Sequence, residues 1–138
     1  MNDKQPRIWC RLESEVNWRE LEGLVAGFHD GVIKEMHWLH GEYVNRSLEM
    51  VYAGKPSLWM LIQLQLSETP AVEIRFHGVS ECSVSAAREL EPTVNFERDS
   101  IALALSSDGH DRVVAERCEY RLGGLELLGP GTFWSASD

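Results

Sequence analysis

Phe28-His29-Asp30-Gly31 is the stretch of this sequence whose residue types most invite a chemical reading. An imidazole beside a carboxylate supplies two ligands for a divalent metal, or a base and the acid that orients it. The same residues also suit a structural corner. There the Asp30 oxygens would accept backbone N–H bonds while Gly31 admits a backbone conformation that other residues resist. The first reading describes a small-ligand or metal-binding, hydrolase-like β-domain with its site near His29 and Asp30; the second describes a turn that holds the fold. Metal-dependent phosphohydrolases of the His-Asp type are excluded, because they are helical and carry further His and Asp ligands on helices.

The remaining chemistry-bearing residues are less organised. His37 and His40 are three apart and Glu42 follows. On a strand such positions face opposite ways, so they do not chelate one ion without a bulge. His77 and His110 have no acidic partner at a recognisable spacing and read as surface or strand-end residues. There is no G-x-S-x-G elbow, no phosphate-binding glycine loop and no G-x-G-x-x-G, so no catalytic residue is assigned and no cofactor is expected. Cys10, Cys82 and Cys118 lack C-x-x-C spacing, which argues against a thiolate metal site or a disulfide framework. Cys82 has no activating histidine near it in sequence.

The elements that must position these residues are strands. Apolar residues recur at every second position over Val44–Ala53, Leu58–Leu66 and Ala71–Gly78, which predicts a three-stranded antiparallel meander with one buried face. Gly54-Lys55-Pro56-Ser57 and Ser67-Glu68-Thr69-Pro70 supply the turns. Val32–His40 is expected to reverse at Gly41-Glu42 and pair with Val44–Ala53. Before it, Asn17 with Glu20 three residues on has capping-box spacing, followed by a Trp18, Leu21, Leu24, Val25 stripe and Gly27 as a stop. A short edge strand is expected over Arg7–Leu12, and another strand over Val79–Ser85. Ala86–Leu90 forms at most one helical turn, since Pro92 disfavours helix at Glu91. Asp99–Leu105 and Arg112–Arg121 read as a hairpin about Ser106-Ser107-Asp108-Gly109, and Gly123-Gly124 turns the chain into Leu125–Leu128. Phe133 and Trp134 lie in an irregular tail. The fold class is therefore mainly β, an antiparallel β-sandwich or partly open barrel with one N-terminal α-helix, and residues 1–138 form a single domain.

Composition narrows the partners. Thirteen Lys and Arg stand against 22 Asp and Glu, a net charge of −9, which disfavours nucleic acid because phosphate binding needs clustered positive charge. The acidity serves solubility, or steers a basic protein to its surface. The longest near-apolar run, Leu58 to Leu66, is too short for a membrane span. The first residues lack the apolar core of a signal peptide, so the cytoplasm is the expected location. Trp38 and Trp59 fall opposite other apolar residues on their strands. They are candidate partner-binding aromatics unless the helix covers that second face, which is the expectation.

Phe28-His29-Asp30-Gly31-Val32-Ile33, with Ala71-Val72-Glu73-Ile74-Arg75-Phe76-His77-Gly78-Val79 after it, resembles a pattern in small bacterial proteins. In these, a hydrophobic-His-Asp-small-x-Ile corner opens a β meander and a Phe-x-Gly-Val strand end closes it. Several such families are immunity proteins of polymorphic toxin systems. The match runs from about Leu24 to Val79 and rests on Phe28, His29, Asp30, Ile33, Phe76 and Gly78. It implies a cytoplasmic, non-catalytic protein that neutralises a toxin, and it transfers no toxin identity. A basic toxin would suit the acidic surface. An oligomer held by an exposed strand edge is the third expectation.

Overall fold

Of the three alternating runs, Leu58–Leu66 and Ala71–Gly78 form neighbouring antiparallel strands. The computed structural model describes residues 8–85 and 90–130. Its strands are β1 (Cys10–Arg11), β2 (Val32–Leu39), β3 (Glu42–Val44), β4 (Met50–Tyr52), β5 (Ser57–Gln63), β6 (Ala71–Ser83), β7 (Thr93–Phe96), β8 (Ile101–Ala104) and β9 (Arg112–Gly123). The helix α1 spans Glu15–Leu24, and 3₁₀ turns lie at Ala26–Phe28 and Leu125–Leu127. Seven strands form one antiparallel sheet in the order β2-β5-β6-β9-β8-β7, with β1 paired beside β8 on the outer side of β9. The fold is thus mainly antiparallel β with one helix, and the sheet does not close into a barrel.

One face of the sheet carries the main core. Leu58, Met60 and Ile62 of β5, Val72, Ile74 and Phe76 of β6, and Val113, Ala115, Cys118 and Tyr120 of β9 are buried there, continuous with Ile101 and Leu103 of β8. α1 lies on this face through Trp18 and Leu21, with Val25 just beyond its end. Leu24 stays exposed. The helix begins three residues earlier than Asn17: Ser14 is the N-cap, and its hydroxyl accepts from the Asn17 N–H while the Asn17 side chain accepts from the Glu13 N–H and the Ser14 hydroxyl. Asn17 therefore takes the third-position role of a capping box, a place that Glu or Gln usually fills.

Four sequence expectations change. The predicted strand Val44–Ala53 is two strands, because Asn45 makes a turn: its side chain accepts from the Ser47 and Glu49 N–H groups. β3 and β4 therefore pair with each other, in a separate two-stranded ladder. β2 accordingly pairs with β5, Met36 opposite Met60, and not with Val44–Ala53. β6 does not stop at Gly78; it continues through a bulge to Ser83 and absorbs the separate strand expected over Val79–Ser85. Finally, β7 pairs with β8 where no strand is predicted, and Leu125–Leu127 is a 3₁₀ turn. The Ser106–Gly109 hairpin between β8 and β9 forms as expected, with Gly109 at positive φ. Residues 86–89 and the Phe133-Trp134 tail lie outside the described residues.

Candidate functional site

The His29–Asp30 corner is built on an unusual backbone. Ala26, Gly27, Phe28 and Asp30 all have φ between 50° and 64°. For a non-glycine residue this costs about 1 kcal/mol or more. Phe28 offsets it by burial, 1% exposed and stacked on Trp18 at 6.0 Å. Gly31 is required for a different reason: a Cβ there would sit 2.9 Å from Leu64 Cδ2 and 3.0 Å from the Phe28 carbonyl oxygen. His29 and Asp30 themselves point outward, with side chains 83% and 55% exposed and His29 Nε2 3.4 Å from Asp30 Oδ2. Among the described residues no three His, Cys, Asp or Glu side chains gather to hold a metal.

The second face of the sheet is polar and largely closed. Glu73 of β6 is fully buried and forms a two-pronged ion pair with Arg121 of β9, Nε to Oε2 and NH2 to Oε1. Beside it, the Arg75 guanidinium lies 2.6 Å from Glu119 Oε1, and His77 Nε2 shares the same oxygen at 2.7 Å. Sequence reasoning missed this partner of His77, since β6 and β9 meet only in the folded sheet. Burial pushes the Glu119 carboxyl up, but the hydrogen bonds from His77 and Arg75 outweigh it and hold the group below the usual carboxylate range. Trp9 caps the arrangement, its ring 4.0 Å from the Arg75 guanidinium and 4.5 Å from that of Arg121. Cation–π contact of this kind adds about 0.5–1 kcal/mol when exposed and about 2 kcal/mol when desolvated.

This arrangement settles where Trp59 lies. It is half-buried on the second face, 5.9 Å from Trp9 and packed on the small cluster of Leu61, Ala71 and Leu127. The helix covers the opposite face, so coverage comes from Trp9 and the Leu125–Leu127 turn. Trp38, by contrast, lies at the free margin of the core face, opposite Leu58, and is 49% exposed. Plain alternation would put Ile33 and Leu39 on the side away from Met36 and Trp38, but a bulge at Lys34 places Ile33 on the same side as Met36 and Trp38.

Where β8 stops pairing at Ala115 and β1 begins at Glu119, β9 borders an opening of about 660 Å³ lined by Arg11, Lys55, His77, Glu116, Arg117 and Glu119. Its charges are partly matched internally, Lys55 to Glu116 at 2.6 Å and His77 to Glu119. The Lys55 ammonium lowers the Glu116 carboxyl. Such a groove is polar without a sign preference.

The β3–β4 ribbon is the opposite case. It prolongs the β2–β5 pairing beyond the end of the sheet: Leu39 pairs with Ser57, then Glu42 with Tyr52, with the Ala53 N–H donating to the Gly41 carbonyl between them. The join is tight, since a Cβ at Gly41 would fall 1.9 Å from the Gly54 carbonyl oxygen. At the tip, the Asn45 N–H donates to the Glu49 carbonyl and Leu48 sits at φ 64°, a position that favours glycine or asparagine. Leu48 is 86% exposed, and Tyr43, Val44, Met50 and Tyr52 along the ribbon are exposed as well. The sequence signal for this element is Asn45-Arg46-Ser47, a polar triplet that includes the turn-forming residues Asn45 and Ser47. No family model, curated protein or solved structure matches the chain.

Proposed function

We propose that this chain is a non-catalytic protein-binding module, with the β3–β4 ribbon as its docking element. In the terms of the immunity-protein resemblance, it occludes a basic toxin in the cytoplasm. The observation that carries the reading is Leu48: a large apolar side chain, almost wholly in water, held in a backbone conformation it disfavours. An isolated two-stranded ribbon is marginally stable in water, and exposed Tyr, Met and Leu side chains at a projecting tip fit a partner's pocket as anchors. Charge supports a basic partner. Residues 32–55 hold three cations, Lys34, Arg46 and Lys55, and three anions, Glu35, Glu42 and Glu49, so the whole −9 excess lies on the rest of the chain. The body then steers and the ribbon grips.

The test is Leu48→Gly. Glycine relieves the positive φ, so the melting temperature should hold within a few degrees or rise. Tagged wild-type protein in native lysate should retain one basic partner in stoichiometric amount, and the glycine variant should lose it by tenfold or more. Equal capture by both proteins, or retention of no such partner, overturns the reading.

A further inference from the structure

We infer that the free edge of β2 is a pairing site for a second copy of this chain, joined antiparallel about a two-fold axis beside Met36. β2 ends the strand order, and among the described residues no strand pairs with its outer side. It runs for eight residues and exposes Val32, Met36, Trp38 and Leu39. Natural edge strands of this length are normally shortened, charged or covered, because their open N–H and C=O groups recruit another strand. Here the bulge at Lys34 is the single interruption, leaving Glu35 to Leu39 regular.

The strand's own pattern selects the occupant and the register. Pairing with a second copy about an axis perpendicular to the sheet keeps each face on its own side, so paired residues share a face and the axis passes between a residue and its own copy. Three central choices exist. An axis at Glu35 sets two carboxylates against each other. An axis at His37 sets two imidazoles together and leaves Glu35 opposite an apolar Leu39. An axis at Met36 sets thioether against thioether, places Glu35 opposite His37 of the second copy on both sides of the axis, extending the 3.7 Å Glu35–His37 pair that each strand already holds, and brings Lys34 beside the second copy's Trp38. Cross-strand pairs of opposite charge or of cation and aromatic are the favourable ones. Only the Met36 register is complementary throughout.

Net charge points the same way. Two bodies of −9 repel, but the segment carrying the edge is neutral by count, so the approach is least opposed here. The register also fixes where the ribbons go. With the extra residue of the Lys34 bulge counted, Ile33 shares its face with Trp38 of the second copy and Val32 falls opposite Leu39, which directs each ribbon past the other copy's corner at His29 and Asp30. This inference stands on the β2 edge, and the proposed partner stands on the ribbon tip.

The register is read by cysteine cross-linking of the full chain in a Cys10→Ser, Cys82→Ser background, which removes the exposed thiols and leaves Cys118 buried. Met36→Cys places two thiols across the axis at a Cα separation of about 5 Å, within disulfide reach. His37→Cys places them about 8 Å apart, outside it. Expected are a wild-type light-scattering mass of twice 15.7 kDa at about 100 µM, near-complete oxidative dimerisation at position 36 and little at 37. Met36→Lys, a substitution at a side chain 38% exposed, should return monomers with an unchanged circular dichroism spectrum. A monomeric wild type overturns the inference, and so does cross-linking at 37 equal to that at 36. Either result leaves the loss of partner by Leu48→Gly free to stand or fall by itself.

Discussion

The second face of the sheet and the β3–β4 ribbon beyond Ser57 present aromatic and charged side chains in opposite ways. Toward β6 and β9, the second face gathers Trp9, Trp59, two arginines and two glutamates into a layer in which each guanidinium meets a carboxylate and the Trp9 ring. Beyond Ser57, the ribbon turns Tyr43, Leu48, Met50 and Tyr52 outward with nothing among the described residues to cover them. Similar residue types therefore serve two ends: internal satisfaction in the first place, availability in the second. A charged cluster is not evidence of a site when its members satisfy one another. An apolar tip held at unfavourable φ is the more informative feature.

The contrast is broken most severely by Arg121→Met. Removing the guanidinium from a fully buried carboxylate should cost about 3–5 kcal/mol, read by chemical denaturation. Adding Glu73→Leu should restore much of that loss, since an apolar pair of similar volume avoids the desolvation of both charges. If the single change costs under about 1 kcal/mol, the second face is not the closed layer described.

Glu119→Gln sharpens the same side at smaller scale. Because the folded carboxyl is held below its ordinary value near 4.3, its contribution is fully present above that pH and is lost as pH falls through the lowered folded value. The variant should be less stable than wild type by about 1 kcal/mol at pH 7, and the gap should close below pH ~4. Thermal denaturation at several pH values checks this; a gap that widens on acidification contradicts the assignment.

The smallest effect belongs to the ribbon. Tyr43→Ser with Tyr52→Ser should change stability by no more than about 0.5 kcal/mol per site, because neither side chain packs on the core. A loss above about 2 kcal/mol would place the ribbon with the structural half of the molecule.

What the sequence made legible follows from how local each signal is. The period-two runs of β5 and β6, the β8–β9 hairpin and the helical stripe of Trp18, Leu21, Leu24 and Val25 depend on neighbours in sequence, and they form except that Leu24 stays exposed. The Val44–Ala53 strand misleads because Val44, Leu48, Met50 and Tyr52 keep alternating parity straight through the Asn45 turn. Their alternation belongs to a ribbon in solvent, not to a buried face. β7 is hidden by Asn95 and the charged residues after Phe96, and its pairing comes from the β8 edge. The Glu73–Arg121 and His77–Glu119 pairs join strands far apart in sequence, so spacing carries no trace of them. The corner at His29 and Asp30 is legible as a turn, and positive φ suits Asp30, but positive φ at Ala26 and Phe28 could not be read from residue types that ordinarily avoid it.

β9 lies between β6 on one side and β8 and β1 on the other, yet in sequence it is the last strand among the described residues. During synthesis the earlier strands leave the ribosome with the middle of their sheet missing. Cys10 waits for Tyr120, and Glu73 is made long before Arg121. A nascent chain halted before residue 112 would therefore lack the strand that joins β6 to β8 and β1, and would present the unpaired edges of β6 and β8.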